Sequence, residues 1–222
     1  DRQIDDDFKN KFTIIQKPSF AYSYLGFNLK NEKFKDIRIR QALSLAINRQ
    51  EMVDILFFGY GKICNGPFLP DSFAYNENIK PITQDINKAK ALLKDAGYDE
   101  NNPFTFELVT NTGNDTRINA AQILQYQLEK TGVKMSIKVM EWQAFLNTVV
   151  HPKKFQAVLL GWSLALMPDA FPLWHSSSSK LGGFNLVSYE NEKVDKLIEQ
   201  GSTTINRDEL GNIYKEIFKI IT

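Results

Sequence analysis

An α/β fold, a layered lobe with a mixed sheet flanked by helices, is predicted by three observations. From Asp85 onward the apolar periods alternate between 3.6 and 2, in the order helix, strand, helix, strand, helix, strand, helix, helix. One of the strands is an unbroken apolar run, Ala157-Val158-Leu159-Leu160, the pattern of a strand buried on both faces. Glycines at 97 and 132 stand where helices must end and the chain must turn back.

Taken in order, residues 1–11 are polar and charged and are expected to be poorly ordered. Phe12 to Gln16 and Tyr22 to Leu29 read as strands on either side of the break Lys17-Pro18-Ser19. Asp36 reads as an N-cap, and Ile39, Ala42, Leu43, Ala46 and Ile47 form one helical stripe behind it. A shorter helix spans Arg49 to Phe58. Residues 59–84 contain Gly59, Gly61, Gly66, Pro67, Pro70 and Pro81 and no period, so they form a long loop, functional or packed as a flap. Asp85 caps a helix with the stripe Ile86, Ala89, Leu92, Leu93, Ala96. Phe104 to Thr110 alternates as a strand, and Asn111-Thr112-Gly113-Asn114 is the turn at its carboxyl end. A helix from Thr116 to Lys130, a strand from Lys134 to Met140 and a helix from Trp142 to Val150 follow. The buried strand occupies 155–160 and Gly161 stops it. Helices at 191–201 and 207–221 close the chain.

Composition excludes several functions. The chain has 222 residues, 43% apolar and 24% charged, enough for a globular core. A formal charge of +1 gives no general attraction to nucleic acid or anionic membrane. No apolar run approaches the roughly 18 residues of a membrane span, so no membrane insertion is expected. Cys64 is the only cysteine, which excludes an internal disulfide and a cysteine-based zinc site.

The chemistry concentrates between Phe155 and Ser179. Ser163, in Gly161-Trp162-Ser163-Leu164-Ala165, is one residue away from a G-x-S-x-G nucleophile elbow, with Asp169 and His175 downstream in triad order. The spacing opposes it: all three fall within 13 residues, and Pro168 interrupts the helix that an elbow requires. His175 beside Trp174 is either a ligand contact or a surface residue, and His151 is a solvated loop residue. The two histidines lack H-x-x-x-H spacing, so no metal site is expected. Gly59-Tyr60-Gly61 follows a helix rather than a strand and is no dinucleotide fingerprint. Arg38 and Arg40 read as a solvated helix face. Of Trp142, Trp162 and Trp174, one at least is expected in the core. Trp162, leaving a strand at the sheet edge, is the best platform for a ligand. No catalytic set survives, and no cofactor is called for.

Several segments together carry a resemblance. Tyr24-Leu25-Gly26-Phe27-Asn28, then Phe34-Lys35-Asp36-Ile37-Arg38-Ile39-Arg40-Gln41-Ala42-Leu43, then Ala46-Ile47-Asn48-Arg49, resemble the Y-L-x-F-N … F-x-D-x-R-x-R-x-A-L … A-I-x-R signature of the large solute-binding proteins of peptide ABC importers. Gly66-Pro67 with Pro70, Ala89 through Ala96-Gly97-Tyr98, Trp142 with Phe145, Gly161-Trp162, Pro168-Asp169 and Tyr214 continue the match in order. The resemblance implies one lobe, of the type 2 periplasmic-binding-protein kind, of a two-lobed protein that closes on its ligand. On that reading residues 1–24 are the lobe-crossing lead-in and 25–222 the ligand-binding, carboxyl-side lobe, ending before the chain returns to a missing first lobe. The implied partners are a peptide and the permease subunits of an importer, and the implied location is extracytoplasmic, in the periplasm or on a lipoprotein anchor. The implied ligand contacts are Asn111 and Thr112 on one turn and Trp162, Ser163, Leu164, Ala165 and Met167 on the other. Related peptide binders hold the ligand's free amine with an Asp three residues after the Trp; here that position is Ala165. With Leu164, Leu166 and Met167 it would make an apolar wall. Family members that carry nickel complexes or haem, a serine hydrolase using Ser163, and a structural surface domain are the alternative readings.

Overall fold

The computed structural model describes residues 5–15, 17, 19–165 and 167–222. Among them one sheet holds β1 (Ala21–Phe27), β2 (Thr105–Asn111), β3 (Lys134–Met140) and β4 (Ala157–Ser163), in the order β1-β4-β2-β3. β2 is parallel to β3 and to β4, while β1 runs antiparallel to β4, so the sheet is mixed. The helices are α1 (Asp6–Lys11), α2 (Ile37–Ala46), α3 (Arg49–Phe57), α4 (Ile86–Asp95), α5 (Asp115–Glu129), α6 (Trp142–Phe145), α7 (Phe171–Trp174), α8 (Glu192–Thr203) and α9 (Arg207–Ile221). α6 continues as a wide turn through Leu146–Val150.

The stripes read from the sequence are the ones the fold buries. Ile39, Ala42, Leu43 and Ala46 of α2 and Ala89 and Leu93 of α4 pack with Leu124 and Leu128 of α5. They cover the sheet face that presents Leu108, Ala157 and Leu159. The other face presents Val109, Val158 and Leu160 to Phe145, Val149 and Leu186. Because side chains alternate along a strand, β4 feeds both clusters, which is why its apolar run is unbroken. Helix starts are set by side-chain caps: Asp36 and Asp85 as the spacing predicts, and also Asn48, Asn114, Glu141, Asn191 and Asn206. Each such cap contributes about 1 kcal/mol.

The loop 59–84 is a strap packed on α8 and α9. Phe68 meets Tyr214 edge-on with centroids 5.1 Å apart, Tyr75 meets Phe218 at 5.0 Å, and Asn76 Nδ2 donates to the Lys215 carbonyl at 3.0 Å. Gly66 lies flat against Phe218, whose ring would stand 2.3 Å from a Cβ at that position.

Four expectations are corrected. Phe12 to Ile15 form no strand, because no neighbouring strand offers them a ladder; Gln16 lies outside the described residues, as do Pro18 of the expected break and residues 1–4. Residues 6–11, expected to be poorly ordered, form α1, capped by Asp5, whose side chain accepts from Phe8 N. Gly161 does not stop β4: Gly161, Trp162 and Ser163 pair with Ser23, Tyr22 and Ala21, so the antiparallel ladder carries the strand through the glycine. None of the tryptophans is fully buried. Trp162 and Trp174 are half-buried at cluster margins and Trp142 is exposed. No helix among the described residues is long and apolar enough to cross a membrane.

Candidate functional site

The carboxyl ends of β2, β3 and β4 share one edge of the sheet, marked by Asn111, Met140 and Ser163. In α/β sheets ligands sit outside that edge. β4 outruns its neighbour there, since its pairing with β2 stops at Val109↔Val158. Asn28 N donates to the Gln156 carbonyl at 3.0 Å and Leu164 N to the Phe20 carbonyl at 2.7 Å. Even-numbered residues of β4 therefore exchange hydrogen bonds with β1, and the backbone groups of Gly161 and Ser163 point the other way. Past Val158, Thr110 Oγ1 of β2 still donates to the Leu159 carbonyl at 3.1 Å, and on that side Gly161 to Ser163 have no strand partner among the described residues.

Arg117 fills the corner beside this open edge. Asn114 caps α5, accepting from Arg117 N at 2.9 Å, which places Arg117 in the first turn. Its Nη1 donates to Asn111 Oδ1 at 2.6 Å, and Asn111 Nδ2 in turn donates to the Thr112 carbonyl at 2.7 Å. Asn111 is buried, whereas Thr112 is exposed on the turn with Gly113. Arg117 Nη2 lies 3.3 Å from where a Cβ on Gly161 would stand, so the glycine leaves the guanidinium its space. Arg117 Nε is buried and has no hydrogen-bond acceptor. Burial pushes the guanidinium pKa down, with Tyr24 opposing. A cation in the first turn also meets the positive end of the helix dipole. The side chain thus sits where local rules disfavour it, with a buried donor unpaired and no ion-pair partner among the described residues.

The opposite face of the same edge is aromatic. Trp162 stacks on Tyr24, with centroids 6.1 Å apart and planes 7° apart, and meets Phe184 edge-on at 5.9 Å. Tyr22 stands opposite Trp162 on β1. Burial raises the pKa values of both tyrosines far above the ordinary phenol value.

The expected contacts divide. Asn111 and Thr112 sit with Arg117 at the end of β2, and Trp162 and Ser163 form the end of β4. Leu164 is half-buried just beyond it, Ala165 and Met167 are exposed, and Leu166 lies outside the described residues. The triad is not assembled. Asp169 Oδ1 accepts from Phe171 N at 3.0 Å, closing the turn into α7. His175 is buried, not a surface residue: Nδ1 lies 2.8 Å from Ser177 Oγ, Nε2 lies 3.4 Å from Glu199 Oε1, and the ring stacks on Phe171 at 4.3 Å. It builds the turn that carries the serines. Among the described residues no group of three His, Cys, Asp or Glu side chains stands close enough to hold a metal ion. Arg117 and Phe184 were not read from the sequence, and Tyr24 was read only as part of a family segment. A cation in a first helical turn was a usable signal for Arg117; Phe184 gave none. Wide concave surfaces lined by Lys33, Thr105 and Lys134, and by Asn28, Lys30 and Lys154, lie at the amino ends of the strands, away from the unpaired edge.

The model of bacterial extracellular solute-binding proteins, family 5 Middle, matches residues 2–184. The oligopeptide-binding protein AppA of Bacillus subtilis is 34% identical over 225 residues, which cover 96% of this chain and 41% of AppA. Its solved structure, in complex with a nonapeptide, superposes with a TM-score of 0.86 at 33% identity over 93% of this chain and 43% of that one. NikZ of Campylobacter jejuni, solved in complex with Ni(L-His), superposes with a TM-score of 0.82 at 30% identity over 96% of this chain and 45% of its own. The chain thus spans about two fifths of the length of the relatives it matches.

Proposed function

Because this chain belongs to the bacterial extracellular solute-binding proteins, family 5, we propose that it is the carboxyl-side, ligand-binding lobe of the substrate-binding component of an ABC importer, and that its cargo is a peptide held in extended form. The observation that carries this reading is the unpaired end of β4 beside Arg117. A peptide laid along Gly161 and Ser163 completes their backbone hydrogen bonds whatever its side chains are, as in strand addition. Arg117 supplies the charge recognition. A peptide carboxylate, terminal or side-chain, accepts from the guanidinium, and a charge-assisted bond of this kind contributes about 1.5–3 kcal/mol. Asn111 holds the guanidinium, and Thr112 and Ser163 offer hydroxyls at the rim. Leu164, Ala165 and Met167 extend the wall.

On this reading residues 1–24 lead in from the other lobe and 25–222 form this one, with β1 (Ala21–Phe27) straddling the boundary. The other lobe closes the cleft, and the loaded protein delivers peptide to permease subunits outside the cytoplasm, in the periplasm or from a lipoprotein anchor. The family is one of solute-binding proteins, and no covalent step is needed. Nickel chelates are the second reading, favoured by the likeness to NikZ. Arg117 would then take the carboxylate of the chelating amino acid.

The test uses the complete polypeptide that carries this chain. Mass spectrometry of co-purifying ligand and calorimetry with peptides of two to nine residues and with Ni-histidine separate the cases. Peptide binding supports the proposal. Nickel-histidine binding without peptide binding overturns it, as does peptide hydrolysis that is lost in Ser163→Ala.

A further inference from the structure

Phe184 is a large aromatic side chain left 56% exposed on a loop that is otherwise pinned on both sides. Asn185, next to it, is fully buried. Its Nδ2 donates to the carbonyls of His175 and Tyr189 at 3.2 and 2.8 Å, and its Oδ1 accepts from Tyr189 N at 3.0 Å. Asn185 N donates to the Ser178 carbonyl at 3.2 Å. Lys153 Nζ reaches up from the start of β4 and donates to the carbonyls of Asn185 and Ser179 at 2.6 and 2.5 Å. On the other side, Gly183 passes so close to Ser178 that a Cβ would stand 2.1 Å from its carbonyl oxygen. Leu186 is buried in the cluster beneath the sheet. A loop held this firmly has no need to leave a phenyl ring in water, and rigid support around an exposed side chain is how binding sites are preorganised.

The ring's place relative to β4 says what it faces. Gly161 and Ser163 turn their backbone groups to the open side, so a peptide pairing there has one residue level with Trp162. Directly opposed residues in a ladder share a face. That residue therefore projects toward the face of Trp162, Tyr24 and Phe184, while its two neighbours project toward Arg117, which stands over Gly161 on the other face.

We propose that Phe184 and Trp162 form a subsite for one large apolar side chain of the peptide, aromatic or branched aliphatic, at the position level with Trp162. The inference rests on the peptide reading above and adds a register-specific preference to it.

The test is calorimetry of the complete polypeptide with all-alanine pentapeptides in which each position in turn carries Phe or Leu. One position is expected to tighten binding about 10-fold or more, the range for burying such a side chain. Phe184→Ala is expected to abolish that gain, and Phe184→Leu to keep most of it. The subsite is overturned, with the peptide function intact, if no position shows the gain, if the gain survives Phe184→Ala, or if that variant weakens every peptide alike. Absence of binding to all the peptides overturns the peptide reading itself, and the subsite with it.

Discussion

Arg117 Nη1 and Asn111 Oδ1 are 2.6 Å apart, joining the first turn of α5 to the last residue of β2. This bond aims a guanidinium along the open end of β4 while leaving its buried Nε without an acceptor. Local preference runs against an arginine at that point, and on the function proposed above a peptide carboxylate relieves the conflict.

Arg117→Ala in the complete polypeptide should weaken peptide binding by roughly 10- to 100-fold, the worth of a charge-assisted hydrogen bond. Arg117→Lys should restore only part of it, because an ammonium cannot hold Asn111 and an anion in the same fork. Calorimetry reads the affinity, and an unchanged melting temperature separates binding from folding.

On the function proposed above, Ala165 stands uncharged near the amine end of the peptide. Acetylating a peptide's amino terminus should weaken binding by less than about 10-fold, since a lost charge-assisted bond would cost that or more. A larger loss in paired titrations would place an anionic anchor elsewhere in the complete protein.

Gly66→Ala should destabilise the strap on α8 and α9. The nearest Phe218 ring atom would be 2.3 Å from the new Cβ, and the ring is fully buried, so it has nowhere to move. Overpacking of this kind costs about 1–3 kcal/mol. A lowered melting temperature with peptide affinity retained is the expected pattern.

Gln127→Leu should cost about 1–3 kcal/mol, because it leaves the half-buried Asn48 N and Glu51 carboxylate without their partner. Gln127 is fully buried on α5; its Oε1 accepts from Asn48 N at 3.0 Å and its Nε2 donates to Glu51 Oε2 at 2.8 Å. The side chain ties the start of α3 to α5. Urea unfolding midpoints of the variant and the parent measure the loss.

Alkaline pH should erode stability through Tyr22 and Tyr24. Burial raises both folded-state pKa values above the ordinary 10.0. Below pH 10.0 both folded and unfolded chains hold these protons and the stabilisation is complete. Above it the unfolded chain releases them while the folded chain keeps them, so the unfolded state binds fewer protons and stability falls as pH rises. Urea midpoints at steps from about pH 9 to about pH 11 should decline, and less steeply in Tyr24→Phe.

Much of the fold was legible because its signals are local. The stripes Ile39-Ala42-Leu43 and Ala89-Leu93 and the limits of β3 follow from periods within a single segment. The caps Asp36 and Asp85 lie within reach of the N–H groups they accept from. The family resemblance drew on the same kind of short, ordered pieces. The site was half legible. Asn111, Thr112, Trp162 and Ser163 stand at strand ends that periodicity locates, but Gly161 was misread as a terminator. Whether a glycine ends a strand depends on a partner, and its partner Ser23 lies far away in the chain.

The sequence by itself determined where most of the helices and strands form, which faces they bury and which family the segments resemble, since these depend chiefly on residues within a few positions of one another. Only the tertiary structure decided that β4 runs past β2, that Arg117 reaches Asn111 and crosses Gly161, and that Phe184 is held over Trp162. Those relationships join residues from different segments. They arise when burial of the apolar faces forces the segments together, and no periodicity within any one segment records them.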